Sequence, residues 1–302
     1  MSHLFKAIAL LALGLFPVHA QPVEAAFLSD YLGVPSGSAA YLPNPPFVTT
    51  LTHPGWGIGA DTAGAWAGAN EIHLHDVGFY GKGIGSHPPS TVTFDLAAIA
   101  GTLPFVPQKF YAEIGIDPSG GGADGAVFEV YLDGVLVTSQ TIQDVNSPFM
   151  VVDVPLAGAT TLTLTTSVYG AFWGNHAVWA DARLSATDSC PTIHVVQPGG
   201  PGTMAVFTND NLVAGRSYLN LFSPDLCPVV GSGFIGGLCF SPMNLPLLFA
   251  EIAGPAPFNV TAPGPTYQFT SAVVPITFEC ICGDITGGVI RSISPAMRLT
   301  IQ

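Results

Sequence analysis

Basic residues are scarce. The 302-residue chain holds seven Lys and Arg against 20 Asp and Glu, and charged side chains of either sign make up 9% of it. Nucleic-acid phosphates need Lys and Arg partners, so this balance argues against a nucleic-acid ligand. Fifteen of the acids fall between Gln21 and Ser189, beside only Lys82, Lys109 and Arg183. Long apolar runs are equally rare. Ala7–Phe16 is a ten-residue run, too short for a bilayer core that takes about 20 residues, and Leu245–Ala253 is interrupted by Pro246 and Glu251. No transmembrane segment is therefore expected. The signatures G-x-S-x-G, H-E-x-x-H and C-x-x-C are all missing, which removes the common hydrolase, zinc-protease and redox motifs. Cysteine is absent from the first 189 residues.

What the chain has in plenty is punctuation, with 35 Gly and 27 Pro in a sequence that is 48% apolar. That combination predicts many short strands and ample core rather than long helices. Residues 1–20 read as a signal peptide. Lys6 gives the basic start, Ala7–Phe16 the apolar stretch, Pro17 the break, and Val18-His19-Ala20 a small-residue cleavage site. An exported chain is expected to form disulfides, and all five cysteines (Cys190, Cys227, Cys239, Cys280 and Cys282) lie in the second half with their pairing open.

The stretch Gly78–Leu96 is the organising one. Gly81, Gly83 and Gly85 make a sharp turn that carries Lys82 and ends at His87. Ser90, Val92, Phe94 and Leu96 then alternate with Thr91, Thr93 and Asp95, as in a half-buried strand. The turn should bring a polar cluster to one rim of a sheet. Phe110–Asp117, Ala126–Leu132, Val135–Thr138, Met150–Val154, Thr161–Val168 and Val178–Leu184 supply further strands. Asp133-Gly134 marks a hairpin. The prolines at 35, 43, 45 and 46 argue against regular structure there. No stretch beyond the signal shows sustained helical periodicity. The expected organisation is a β-sandwich over residues 21–189, a boundary near Ser185–Gln197, and a smaller Cys/Pro/Gly-rich all-β module over 190–302. Asn259-Val260-Thr261 is a glycosylation sequon by pattern.

Four ordered pieces together carry a family resemblance. They are Tyr80-Gly81-Lys82-Gly83-Ile84-Gly85-Ser86-His87, Phe110–Asp117, Val127–Gly134 and Gly174–Leu184. Residues 26–184 resemble the NPCBM family of carbohydrate-binding modules, related to CBM51. The resemblance implies a galactose-binding-like antiparallel jelly roll that binds terminal sugars, galactose for example, through loops at one end. It also implies a structural calcium and the usual company of glycoside hydrolases. The chain departs from the family pattern at Pro88-Pro89, which follow His87, and at Asn175 and Val178, where acidic residues are usual. The tail Ser292–Gln302 faintly resembles C-terminal modules of large exported bacterial proteins.

Sugar modules lay an aromatic face on a pyranose and fork polar groups onto its hydroxyls. The candidates are Trp56, Tyr80, His87, Tyr169, Trp173, Asn175 and His176, with Phe172 beside them; Tyr169–His176 is the densest cluster. Phe172 and Trp173 read equally as a lid on the core. Trp179, on a strand, reads as packing. Asp117 and Asp124, flanking a glycine loop, are the candidate calcium ligands. His73 and His75 read as a solvated face, with metal binding the minority alternative. The expected function is an exported, non-catalytic carbohydrate-binding protein with a glycan partner, placed outside a bacterial cell, in its periplasm or on its surface. The alternative is a structural or surface-assembly protein whose C-terminal module docks on the cell envelope or a protein.

Overall fold

The computed structural model describes residues 24–36, 40–53, 58–61, 71–75, 77–118, 124–170, 175–186, 190–271 and 275–302. The chain divides into two compact units, Ala26–Thr187 and Asp188–Gln302, the latter grouped with Met1–Ala25. Through the first unit the strands run β1 Ala25–Phe27, β2 Gly33–Ser36, β3 Ala40–Pro43, β4 Val48–Thr52, β5 Ile58–Ala60, β6 Ile72–Leu74, β7 Gly78–Tyr80, β8 Gly83–Ser86 and β9 Ser90–Asp95. A short helix, α1 Leu96–Ala100, is followed by β10 Lys109–Ile116, β11 Gly125–Leu132, β12 Val135–Ile142, β13 Met150–Pro155, β14 Thr161–Tyr169 and β15 Ala177–Ser185.

Two antiparallel sheets face each other. One has the order β13-β10-β15-β8-β5 and the other β12-β11-β14-β9-β4. The alternation read in Ser90–Asp95 is real, with Val92 and Phe94 turned into the core. Trp179 is 1% exposed and stands edge-on to Phe128 at 5.1 Å, so its reading as packing holds. Leu96, expected in the strand, instead opens α1, because the Asp95 carboxylate accepts the Ala98 N–H and caps the helix.

The first sheet departs from simple alternation, since β10 and β15 are buried on both faces. Strand β6 covers part of the outer face, and glycine makes room for it. A Cβ on Gly115 would sit 2.5 Å from Leu74, and one on Gly83 would sit 2.7 Å from Ile72. Polar groups sealed on that face must find partners within the protein. Glu113 accepts from the Tyr80 hydroxyl at 2.5 Å and the Tyr111 hydroxyl at 2.8 Å. Arg183 pairs with Asp181 at 3.1 Å and lies over the Tyr111 ring. Asp181 takes a positive φ of 52° where the register between β10 and β15 slips.

The glycine turn before His87 serves this frame and does not itself reach the rim. Lys82 bridges Asp30 at 2.6 Å and Asp61 at 3.0 Å, while Asp61 also accepts the Gly83 N–H. The proline-rich segment is more regular than expected, because Gly33–Ser36 and Ala40–Pro43 pair as a two-stranded hairpin.

In the second unit, β16 Thr192–Val196, β17 Ala205–Asp210 and β18 Ser217–Ser223 precede a helix, α2 Leu245–Ala253. Then come β19 Asn259–Thr261, β20 Tyr267–Ser271, β21 Ile276–Asp284, β22 Ser292–Ile293 and β23 Met297–Ile301. One sheet has the order β16-β17-β20; another contains β19-β18-β21-β23. The module is mostly strand, as expected, and the helix is an addition that the sequence reading did not anticipate. Pro246 lies in its first turn, where a missing N–H costs nothing. Asn259 donates to the Glu251, Ile252 and Gly254 carbonyls, so the sequon side chain finishes this helix. A disulfide joins Cys227 to Cys239, while Cys190, Cys280 and Cys282 are buried thiols. Phe207, Phe222, Phe269 and Phe278 cluster in the core.

Replacing Tyr80 by Phe removes one of the two phenol donors to a fully buried carboxylate. It should cost about 1–3 kcal/mol, read as a lower urea midpoint, and leave glycan retention by the folded protein unchanged.

Candidate functional site

Strand register gathers five connections at one end of the sandwich. Ile58, at the start of β5, pairs with Ser86 at the end of β8, and Ser86 pairs with Ala177 at the start of β15. Ile116 at the end of β10 pairs with Ala177, and Gly125 opening β11 pairs with Tyr169 closing β14. Ile142 closing β12 pairs with Ala126, and Met150 opening β13 pairs with Ile114. Ser90 and Thr52 complete the set opposite Thr166 and Thr91. Hence the β4–β5, β8–β9, β10–β11, β12–β13 and β14–β15 connections share one end. Hydroxyls tie the two sheets together there. Thr166 Oγ1 lies 3.2 Å from Ser86 Oγ and 2.5 Å from Ser90 Oγ, all three buried. The sequence signal for this trio was Ser90 standing on the apolar side of an alternating strand, where a hydroxyl needs a partner.

Of the candidates named from sequence, His87, Tyr169, Asn175 and His176 lie at this end, and so do Asp117 and Asp124. Trp56, Phe172 and Trp173 belong to the β4–β5 and β14–β15 connections but fall outside the described residues. Tyr80 lies elsewhere, 1% exposed on the outer face of the first sheet with its hydroxyl on Glu113. Its ring serves the buried network there.

Tyr169 is 43% exposed, whereas His87 is 5%, His176 7% and Asn175 fully buried. Their contacts explain the difference. Asn175 Nδ2 donates to the Gly125 carbonyl at 2.9 Å and anchors the β14–β15 connection to the start of β11. Gly125 also lets the end of β12 lie close, because a Cβ there would meet the Ile142 carbonyl oxygen at 1.7 Å. His87 Nδ1 lies 2.9 Å from the Pro88 carbonyl, and its ring stands edge-on to His176 at 6.1 Å. The Asp117 N–H donates to the His176 carbonyl at 2.7 Å, while Asp117 Oδ2 accepts the His73 N–H at 2.9 Å. The His73 ring stacks on Phe79 at 4.3 Å, so it is not on a simply solvated face.

These imidazoles stay neutral below the usual range. Burial lowers the pKa of His87 against the Pro88 hydrogen bond. Burial also lowers His176, with Asp117 opposing and His87 reinforcing. His73 is lowered by burial against the pull of Asp117.

Calcium wants six to eight oxygen ligands. Asp117 is 1% exposed with one oxygen on a backbone N–H, and the titratable side chains that interact with it are imidazoles. Asp124 packs its carboxylate against Gly170, whose φ is +84°. Among the described residues no three or more His, Cys, Asp or Glu side chains gather to hold a metal. The described donor set does not fit calcium.

The NPCBM/NEW2 domain family matches residues 48–185, so this part of the chain is similar to that family. No curated protein matches the chain. Among solved structures, it is similar to the CBM51-2 and INT domains of Clostridium perfringens ZmpB, at 21% identity and a TM-score of 0.43, over 55% of this chain and 32% of that one. It is also similar to the CBM51 of Clostridium perfringens GH95 in complex with methyl-galactose, at 22% identity and a TM-score of 0.41, over 53% of this chain and 99% of that one. The chain thus spans about a third of the first of these structures.

Lowered histidine values fix the sign of a pH effect. An unfolded imidazole takes up its proton near 6.5, whereas the folded ones do so at lower pH. Their contribution to stability is therefore complete above about pH 6.5 and is lost as pH falls through the folded values. Thermal unfolding followed from neutral pH to about pH 5 should show a falling midpoint, with a shallower fall in His176→Gln.

Proposed function

We propose that this chain is an exported, non-catalytic carbohydrate-binding protein of bacterial type. In this reading it takes a terminal sugar, galactose for example, through the loops at one end of its sandwich. The observation that carries the reading is that convergence. In a sandwich similar to the NPCBM/NEW2 family, five connections meet at a single end and assemble Tyr169 with neutral imidazoles and hydroxyls. An exposed aromatic ring offers stacking area for a pyranose, and uncharged donors and acceptors match a polyol better than an ion. His87 and Asn175 hold the loops in place, leaving the exposed aromatic contact, among the described residues, to Tyr169. Export rests on the pattern of residues 1–20. Among the described residues no helix is long and apolar enough to cross a membrane.

Glycan-array screening of the mature chain, followed by calorimetry on the best binder, is the test. Tyr169→Ala and Trp173→Ala should each weaken binding by roughly tenfold, the scale of one aromatic contact. Chelation by EDTA should leave binding unchanged, given the donor set of Asp117 and Asp124. Failure to retain any saccharide, with or without calcium, would leave the sandwich as a scaffold.

A further inference from the structure

A concave site on the second sheet is separate from the buried histidine pair. It has a volume of about 360 Å³, within the roughly 300–1,000 Å³ of small-ligand sites. Its floor is the cross-strand row Thr52, Thr91 and Thr165, and Pro89, Ser90 and His53 wall it. Among the described residues no Asp, Glu, Lys or Arg lines it. The row repeats one pleat further along as Thr50, Thr93 and Thr163, so three adjacent strands each present Thr-x-Thr on the outward face. The hydroxyls are held against one another. Thr93 and Thr163 are 2.9 Å apart, Thr91 and Thr165 are 3.4 Å apart, and Ser90 is fixed from behind by Thr166. β-Branched side chains are stiff about χ1, so little freedom is lost when they meet a ligand.

Hydroxyl donors and acceptors without charge suit a neutral polyol. The threonine methyls between them give a surface on which the C–H face of a sugar ring can rest. The site opens beside Pro89, two residues from His87, at the end of the sandwich that carries Tyr169. We infer that this threonine-floored cleft is a second saccharide subsite, so that the ligand is a neutral oligosaccharide running off the loop end across the second sheet. The inference rests on the glycan reading and extends it from a single terminal sugar to a chain. Selectivity follows from the lining. With no cation in the cleft, sulfated or uronic units gain nothing there, whereas an uncharged second unit gains hydrogen bonds.

The test uses the full mature chain and a galactose-terminated series: methyl β-galactoside, lactose and a galactose-terminated tetrasaccharide. Affinity should rise roughly tenfold from the first to the last, the scale of one or two added hydrogen bonds. The double variant Thr91→Val, Thr165→Val keeps shape and strand preference while removing two floor hydroxyls. It should lose that rise and keep wild-type affinity for methyl β-galactoside. Threonine-methyl NMR on the unmutated protein supplies a readout independent of any variant, with the Thr91 and Thr165 signals shifting with the tetrasaccharide and not with methyl β-galactoside. Equal affinity along the series, or a rise that survives the double variant, overturns the cleft while leaving terminal-sugar binding intact. A threonine-dependent response to the tetrasaccharide without any to methyl β-galactoside supports the cleft and counts against the terminal-sugar site. No binding by any member ends both readings.

Discussion

The two central strands of the first sheet are buried on both faces, and much of the sandwich follows from that. Double burial leaves no solvent for Glu113, Asp181 and Arg183: Glu113 accepts from the Tyr80 and Tyr111 hydroxyls, and Arg183 pairs with Asp181 and lies over the Tyr111 ring. Breaking one partner of such a set costs more than the set contributes over an apolar equivalent. The network therefore favours one register and penalises its neighbours. Glycine at 83 and 115 leaves room for β6 on the same face. A fixed register in this sheet, joined to the other through Ser86, Thr166 and Ser90, brings the ends of ten strands to one level. The loops of the candidate site stand on that level.

Much of this frame was legible in the sequence. Period-2 alternation at Ser90–Asp95, the Asp133-Gly134 turn and a strand tryptophan each have a local physical meaning, and each is found in the fold. Other features could not be read locally. Tyr80 was drawn toward the site by its place beside the glycine turn, and nothing near it in sequence announces that Glu113, 33 residues on, accepts its hydrogen bond. Lys82 looked like a rim charge, but its partners Asp30 and Asp61 are equally remote. Helix α2 was missed because Pro246 reads as a breaker, whereas in a first turn proline is accommodated.

At the loop end, the sequence named residue types but could not assign their work. Asn175 and His87 face carbonyl oxygens of the connections themselves, so their polar groups shape loops. Burial also keeps the imidazoles of His87 and His176 neutral, which removes positive charge from an acidic domain's binding end. A surface that is polar, uncharged and stiff is a poor site for ions and a good one for sugars, whose recognition depends on placed hydrogen bonds and ring faces. The threonine rows of the second sheet continue that chemistry away from the loops. They went unnoticed because threonine on the outward face of a strand is the ordinary choice for a β-former. Their alignment across three strands appears only in the register.

The central claim is that the end of the sandwich bearing Tyr169, His87 and His176 is where ligand binds. Titrating lactose into the isotopically labelled full chain, with backbone and histidine-ring signals followed by NMR, asks this most directly. The account predicts saturable shifts confined to residues of the β4–β5, β8–β9, β10–β11, β12–β13 and β14–β15 connections and the adjoining ends of their strands. Shifts centred on α2 or elsewhere in residues 190–302, or no shifts at any concentration, would contradict it.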